Sequence, residues 1–394
     1  MFKVYLPRLI VFGEGALDDL AEEVAKLGVK RILVITDNIV YGLTHSRLDS
    51  ALVKFSLLYI DDVPEEPTFD YVESKVSHVK RFSPEIFLAV GGGSVIDAAK
   101  ALYFRFESPN VDLATTNPLT YYGLGSKSKL ICVPTTSGTG SDASFGVVLT
   151  RHHENRRVKV AMGSYELVPW GTYLEPGLTI SMPPKVTRNT GLDALVHSFE
   201  AYVSTGASDF TDALAEKAVE LVLQNLPLAY SDGSNAEARS KMQLAATMAG
   251  AAFSASGLGL VHGLGHAIGA EYGFPHGISV ALYLPHVIRY NSTDEIVKRK
   301  YADLARRNGY NSSLRMLIEL YAKVDGPVNL VGLGVKPESV RSALPRLVEM
   351  VMSDNEIVFN PVLPLPDKVE EIIKDSINGL ALKAPKQAST NGIL

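Results

Sequence analysis

The chain contains a single cysteine, Cys132, among its 394 residues. One thiol cannot form a disulfide within the chain, and it cannot build a zinc site of the type that uses several cysteines. Cys132 stands in the apolar run 129–133, where we expect an inert residue of a buried strand. A metal site in this protein would therefore have to use histidine and carboxylate ligands.

A strong charge of either sign is also missing. The 38 Lys and Arg residues against 43 Asp and Glu residues give a formal net charge of -5. Such a chain has no basic field to attract nucleic acid or an anionic membrane, so we expect neither as a partner. The first residues, MFKVYLPRLIVF, lack the charged start and the small-residue cleavage site of a signal peptide. We therefore expect a cytoplasmic protein.

Charged residues are absent from the stretch 244–270. About 20 apolar residues suffice to cross a membrane, so this stretch is long enough to be mistaken for a span. It contains two histidines and many glycines, however, and Ser254, Ser256 and Gly257 resemble a break between two helices. We expect two buried helices here rather than a membrane span.

The first part of the chain alternates short β-branched runs with amphipathic helical stretches, which predicts a βαβα order and a mainly parallel sheet. Beyond Met182-Pro183-Pro184 long helical periodicities dominate. We therefore predict an α/β domain at 1–180 and an all-helical domain at 181–394, with the active cleft between them. The predicted strands are 32–36, 57–60, 86–90 and 130–133, with a hairpin from 147–149 and 158–162, and the predicted helices are 17–27, 69–82, 95–106, 210–226, 237–253 and 340–352.

Two loops suited to phosphate binding follow predicted strands. The strand 86–90 runs directly into Gly91-Gly92-Gly93-Ser94, and the strand 130–133 runs into PTTSGTGS at 134–141. Glycines let the backbone approach a phosphate, and a helix N-terminus supplies free N–H donors. Neither loop is a GxGxxG or Walker sequence, so a tight turn is the alternative for each. Because ligands collect at the carboxyl ends of parallel strands, the two loops together predict a nucleotide site.

Asp37 ends the predicted strand 32–36. From this position a carboxylate can accept hydrogen bonds from both ribose hydroxyls of adenosine and repel a 2′-phosphate, which favours NAD over NADP. The alternative is a cap for the following segment, because Asp is favoured at such positions.

Histidines are concentrated between residues 258 and 286, which hold four of the nine in the chain. His262 and His266 are four residues apart, and Asp193 and His197 repeat that spacing upstream, so each pair lies on one face of a helix. His276 follows a turn signal. A single polar residue on an apolar helix is usually a hydrogen-bonded core residue, but one cation satisfies several imidazoles together. Five candidates thus compete for the four places of a divalent metal site.

Four motifs carry a family resemblance: GGGSVIDAAKA, PTTSGTGSD, GLDALVHSFEAYVS and GLVHGLGHAIGAEYGFPHG. In order and spacing they resemble the iron-containing, or group III, alcohol dehydrogenase family, and the resemblance extends over nearly the whole chain. It implies a dinucleotide-binding domain followed by an all-helical domain, as in dehydroquinate synthase, with a divalent metal in the cleft. The implied ligands are Asp193, His197, His262 and His276, and His266 falls where the family has a histidine that assists proton transfer.

The same resemblance implies cofactor contacts. Gly92, Gly93 and Ser94 fall at the pyrophosphate and Lys159 falls near a ribose, while Asp97 orders the first loop. The chain departs from the family pattern at Val95, at Asp142 and at Glu66, which stands where the family often has Asn. Residues implied along the dinucleotide are Thr135, Thr136 and Thr139.

The implied reaction is hydride transfer between an alcohol or aldehyde and a nicotinamide cofactor. No Lys or Arg stands between Lys241 and Arg289, and an anionic substrate would need a cationic partner, so we expect a small neutral substrate, placed against Phe253. A glycerol or diol dehydrogenase is the alternative, followed by a lyase resembling dehydroquinate synthase. NAD is favoured over NADP. The resemblance implies Fe²⁺, but the residues alone do not choose between Fe²⁺ and Zn²⁺, because the ligand set accepts both metals. The resemblance also suggests a homodimer.

Overall fold

The structure, a computed structural model, describes residues 2–153 and 156–379. The polar end of the chain beyond residue 379 therefore lies outside the described residues.

A parallel six-stranded sheet forms the centre of the first part of the chain. From one edge to the other, its strands are Leu9–Phe12, Gly171–Leu174, Lys129–Pro134, Ile86–Gly91, Arg31–Ile35 and Ser56–Ile60. The strand Ile86–Gly91, in the middle of the sheet, is buried along its whole length, because helices cover the sheet on both faces. This arrangement confirms the predicted α/β fold class. The strands are β1 (Leu9–Phe12), β2 (Arg31–Ile35), β3 (Ser56–Ile60), β4 (Ile86–Gly91), β5 (Lys129–Pro134), β6 (Gly146–His153), β7 (Arg156–Gly163) and β8 (Gly171–Leu174), of which β6 and β7 form a separate antiparallel hairpin.

The helices of this part are α1 (Ala16–Lys26), α2 (Asn38–Ala51), α3 (Phe69–Phe82) and α4 (Gly93–Glu107). The sequence analysis did not predict β1, β8 or α2. Each of the two strands has four residues, and α2 buries only Thr44 and Leu48. Elements this short or this exposed carry little periodic signal.

From residue 184 onward the described chain is mainly helical, and these helices share one apolar core. The predicted all-α character of this part is confirmed, whereas the exact boundary at 180/181 stays a prediction. The helices are α5 (Pro184–Val203), α6 (Asp209–Ser231), α7 (Ala236–Ser256), α8 (Leu260–Tyr272), α9 (His276–Asn291), α10 (Glu295–Arg307), α11 (Ser313–Val324), α12 (Pro337–Met352) and α13 (Pro366–Asn378).

The loop after β5 packs directly on α7. A Cβ on Gly250 would lie 2.4 Å from the carbonyl oxygen of Gly140, so the two backbones are in contact there. Gln243 Nε2 donates to the carbonyl of Pro134 at 2.9 Å, and Thr247 Oγ1 donates to Asp142 Oδ2 at 2.8 Å. These contacts bring the carboxyl edge of the sheet against the helical part.

Within the described residues, no single helix is long and apolar enough to cross a membrane. Helices α7 and α8 taken together would be long and apolar enough, but they are bent by 110° at their junction. The break predicted at residues 254–257 lies at this junction.

Candidate metal centre

Helix α5 supplies Asp193 and His197. The helix begins with Pro184, a favoured residue for a first turn, and residues 191–203 are all buried. Asp193 and His197 lie one turn apart in this buried part, so both side chains face the interior. Two polar groups in such a position require partners.

Helices α8 and α9 supply the histidines. Gly273 follows the last residue of α8, and its φ of 71° is the left-handed conformation that commonly closes a helix. This turn lets His276 become the first residue of α9. A Cβ on Gly265 would lie 2.5 Å from Val280, so α8 and α9 approach closely at this glycine. The close approach brings His276 next to the imidazoles of α8.

The side chains of Asp193, His197, His262 and His276 converge. One ligand atom from each lies within 4.8 Å of the others. Asp193 Oδ1 is 3.4 Å from His276 Nε2 and 3.7 Å from His197 Nε2. Two of the inward atoms, Asp193 Oδ1 and His262 Nε2, are buried and have no hydrogen-bond partner among the described residues. Three imidazoles and one carboxylate with buried, unpartnered atoms fit a single divalent cation.

The electrostatics of the cluster also suit a cation. Burial lowers the pKa of His262 and of His276 well below 6.5, and the neighbouring imidazoles lower it further. Burial raises the pKa of Asp193, against the opposing effect of His197. Neutral imidazoles are the form that binds a metal, and a bound cation would stabilise the buried carboxylate as an anion.

His266 differs from the other three histidines. It lies beside the cluster, with its ring 5.3 Å from that of His276, but its Nδ1 is 2.7 Å from Asp354 Oδ2. Burial lowers the pKa of His266, but the hydrogen bond and charge of Asp354 outweigh this effect and raise it. The structure thus gives His266 a carboxylate partner of its own.

Two carboxylates that bind these histidines were missed in the sequence analysis. Glu200 Oε2 is 2.5 Å from His262 Nδ1, and Asp354 binds His266 as described. Glu200 had a signal, because Asp193, His197 and Glu200 follow an i, i+4, i+7 pattern on one helix face. Asp354 is 88 residues from His266 in the chain and had no such signal.

The two predicted phosphate loops lie side by side, because β4 and β5 are adjacent. The N–H of Thr135 donates to the carbonyl of Gly91 at 3.0 Å. A Cβ on Gly93 would lie 2.6 Å from Thr139, and one on Gly92 would lie 3.2 Å from Thr136. Glycine is therefore required where α4 begins against the second loop, and the free N–H groups of α4 lie at that point.

Other predicted cofactor residues also have defined partners. Ser94 Oγ donates to the carbonyl of Glu65 at 2.5 Å. Asp97 is buried and its Oδ2 accepts from the N–H of Val148, which ties α4 to the hairpin. Asp37 caps α2, since its Oδ1 accepts from the N–H groups of Ile39 and Val40 at 2.9 Å.

Lys159 and Phe253 flank the cluster. Lys159 Nζ lies 3.5 Å from Glu66 Oε1. Glu66, which stands where the family often has Asn, is therefore an ion-pair partner of the lysine. Phe253 stacks on His197, with ring centroids 4.6 Å apart and an interplanar angle of 29°. Its ring therefore covers one side of a ligand candidate.

Two family profiles match consecutive parts of the chain. The profile for iron-containing alcohol dehydrogenase matches residues 7–176, and the profile for the C-terminal part of the Fe-containing alcohol dehydrogenase family matches residues 187–377. The chain belongs to the iron-containing alcohol dehydrogenase family. This confirms the resemblance based on the four motifs and makes the protein an oxidoreductase of the alcohol dehydrogenase type.

Individual relatives and solved structures support the same family assignment. The chain is 36% identical over 375 residues to an alcohol dehydrogenase of Thermococcus barophilus, covering 93% of this chain and 96% of the relative. It is 31% identical over 376 residues to the 1-propanol dehydrogenase PduQ of Citrobacter freundii, covering 92% and 96%. The solved structure of an iron containing alcohol dehydrogenase from Thermococcus thioreducens has a TM-score of 0.88 at 32% identity, covering 96% of this chain and 100% of that one. A 1,3-propanediol oxidoreductase structure has a TM-score of 0.85 at 30% identity, covering 96% and 100%.

Proposed function

We propose that the protein is a metal-dependent and NAD-dependent dehydrogenase that interconverts a small neutral alcohol and its aldehyde. The observation that carries this proposal is the convergence of Asp193, His197, His262 and His276, whose ligand atoms lie within 4.8 Å of one another. These four residues would hold Fe²⁺, or Zn²⁺ as the alternative. A divalent cation bound there polarises the substrate oxygen and lowers the pKa of an alcohol hydroxyl.

The cofactor would bind across the two loops at the carboxyl edge of the sheet. The N–H groups at the start of α4, together with Gly92, Gly93 and Ser94, face the pyrophosphate, since a helix N-terminus favours an anion. Thr135, Thr136 and Thr139 of the second loop would contact the dinucleotide, and Lys159 would lie near a ribose. Asp97 holds α4 to the hairpin and so fixes the first loop.

His266 would move the hydroxyl proton. Its Nδ1 donates to Asp354, which leaves Nε2 as the acceptor for a proton from the substrate hydroxyl. An imidazole is suited to this step because its unperturbed pKa of about 6.5 lets it accept and release a proton near neutral pH. Asp354 orients the ring for this exchange.

A small neutral substrate suits the surroundings of the cluster. The cation of Lys159 is paired with Glu66, so it is not available as the cationic partner that an anionic substrate would need. Phe253 offers an apolar surface next to His197. The names of two relatives, a 1-propanol dehydrogenase and a 1,3-propanediol oxidoreductase, support short alcohols as the substrate class.

A panel of alcohols tests this function. Apoprotein is reconstituted anaerobically with Fe²⁺ or with Zn²⁺, and reduction of NAD is followed with ethanol, 1-propanol, 1-butanol, 1,3-propanediol and glycerol, with lactate as the anionic control. We expect turnover of the short alcohols, dependence on added metal, and no turnover of lactate. Absence of turnover with every alcohol, in protein that binds both metal and NADH, would contradict the proposal.

The choice of NAD over NADP is tested at Asp37. Asn caps helices about as well as Asp, so Asp37→Asn keeps the cap of α2 and removes only the charge that would repel a 2′-phosphate. We expect the ratio of kcat/KM with NAD to that with NADP to fall by about tenfold or more, which corresponds to about 1.4 kcal/mol.

Asp294→Asn is the matched control for this variant. Asp294 caps α10 with the same pair of bonds, to the N–H groups of Ile296 and Val297, far along the chain from the cofactor loops. It should leave the ratio unchanged. Equal ratios in wild type and Asp37→Asn would remove Asp37 from cofactor discrimination and leave it the role of a cap.

A further inference from the structure

Glu200 is a buried carboxylate beside the candidate ligands that the proposed mechanism has not used. Its side chain is 5% exposed, and it lies on the same face of α5 as Asp193 and His197. Among the described residues no Lys or Arg forms an ion pair with it. Its two oxygens are nevertheless both occupied, because Oε2 is 2.5 Å from His262 Nδ1 and Oε1 accepts from the N–H of Val261 at 2.7 Å. A buried charge with this pair of bonds needs an explanation.

The bond to Oε2 fixes the tautomer of His262. In its ionised form Glu200 can only accept, so the hydrogen bond then requires a proton on Nδ1 of the imidazole. A neutral ring with its proton on Nδ1 has a free lone pair on Nε2. Nε2 is the buried atom of His262 that has no partner within the described residues and that points into the cluster. In the other tautomer a lone pair on Nδ1 would face the carboxylate, and a buried N–H on Nε2 would face the cluster.

The bond to Oε1 fixes the start of α8. Gly259, the N-cap of α8, has no side chain to cap the helix, and Glu200 from α5 supplies an acceptor instead. A Cβ on Gly259 would lie 3.0 Å from Glu200 Oε1, so the close approach of the carboxylate depends on glycine at this position. An anion at a helix N-terminus is also favoured by the helix dipole. One side chain thus binds the backbone N–H of Val261 and the ring of His262.

We propose that Glu200 is a positioning residue of the metal centre, which holds His262 in the Nδ1-protonated tautomer and in the orientation that binds a divalent cation. The inference rests on the proposed function in one respect, that the cluster binds such a cation. Glu200 is not one of the four residues whose ligand atoms converge, and its two oxygens bind His262 Nδ1 and the N–H of Val261. Its contribution is to metal affinity, through the ligand that it orients.

Glu200→Gln separates this role from simple helix capping. Glutamine has the same shape, but it offers one acceptor and one NH₂ donor, so it cannot accept from both Val261 N–H and His262 Nδ1–H. If the amide oxygen caps α8, its NH₂ faces His262 and favours the wrong tautomer. Loss of a partner that orients a metal ligand typically weakens metal binding by about 10–100-fold. We expect the Kd of the apoprotein for Zn²⁺ to rise by that factor.

Glu107→Gln provides the matched control. Glu107 is another buried carboxylate that accepts backbone N–H groups, those of Lys127 and Ser128, but it lies at the end of α4. Both variants lose a buried carboxylate bound to backbone, so both should lower the Tm of the apoprotein. Only Glu200→Gln should change the Kd for Zn²⁺, measured by competition with a chelator, and the visible spectrum of bound Co²⁺.

The outcomes distinguish the two proposals. If wild type binds Zn²⁺ and Glu200→Gln binds it with a Kd within twofold, the positioning role is overturned and the proposed function stands. If wild-type apoprotein binds neither Zn²⁺ nor Fe²⁺, the proposed function fails and this inference fails with it. A measurement on wild type alone covers the case in which Glu200→Gln does not fold: ¹⁵N spectra of the apoprotein should show His262 protonated on Nδ1, and protonation on Nε2 would overturn the inference.

Discussion

His276→Ala is expected to remove the bound metal and to lower kcat/KM by at least about 10³-fold. The variant deletes one of four converging ligand atoms, and a three-ligand remainder holds a divalent ion far less firmly. Loss of the cation removes several kcal/mol of stabilisation of the reacting oxygen, and each 1.36 kcal/mol corresponds to a factor of ten in rate. His276 is also the most exposed of the four candidates, with 31% of its side chain accessible, so its replacement disturbs the fold least.

Metal content after anaerobic purification and kcat/KM with a short alcohol are the two measurements for this variant. Both should fall together, and added imidazole should restore part of each by filling the space of the missing side chain. NADH binding should be retained, since the cofactor loops lie on the sheet. Wild-type metal content together with wild-type turnover in His276→Ala would remove this residue from the ligand set.

Much of the fold could be predicted because its elements have strong periodic signals. Strand β4 and the helix that follows it contain an unbroken apolar run, a glycine turn and a helix rich in apolar residues within residues 86–107. Strand β8 could not be predicted in this way, because its four residues GTYL are buried between two neighbours and show no alternation. Its place is set by pairing with β1 and β5, which is a property of the assembled sheet.

The same distinction applies to the candidate site, where local spacing could be predicted and tertiary contacts could not. Pairs within one helix, such as Asp193 with His197, were recognisable from their spacing of four. Spacing alone could not separate His262 from His266, which stand at equivalent positions one turn apart on α8. The structure distinguishes them by partners from elsewhere in the chain, since Glu200 binds Nδ1 of the first and Asp354 binds Nδ1 of the second. Such partners are tertiary contacts, and the ligand set itself stays a prediction until metal binding is measured.

His266→Gln is expected to lower kcat by about 10²–10⁴-fold while leaving the metal in place. General acid–base catalysis by a positioned side chain contributes about that factor, and a glutamine amide cannot accept and release a proton near neutral pH. The ring of His266 is bound to Asp354 and stands beside the four converging side chains, so its removal takes no ligand atom away. The expected pattern is therefore the opposite of that for His276→Ala: full metal content, unchanged Zn²⁺ affinity and slow turnover.

The comparison of these two variants decides which of His266 and His276 belongs to the ligand set. Loss of metal from His266→Gln would place His266 in the ligand set and leave the proton without an assigned acceptor. Asp354→Asn refines the test, because asparagine removes the negative charge and offers one acceptor for the two bonds that Asp354 accepts, from His266 Nδ1 and from the N–H of Glu356. Its kcat should lie between those of wild type and His266→Gln, since the imidazole is still present but loses the anion that stabilises it once it has taken up the proton.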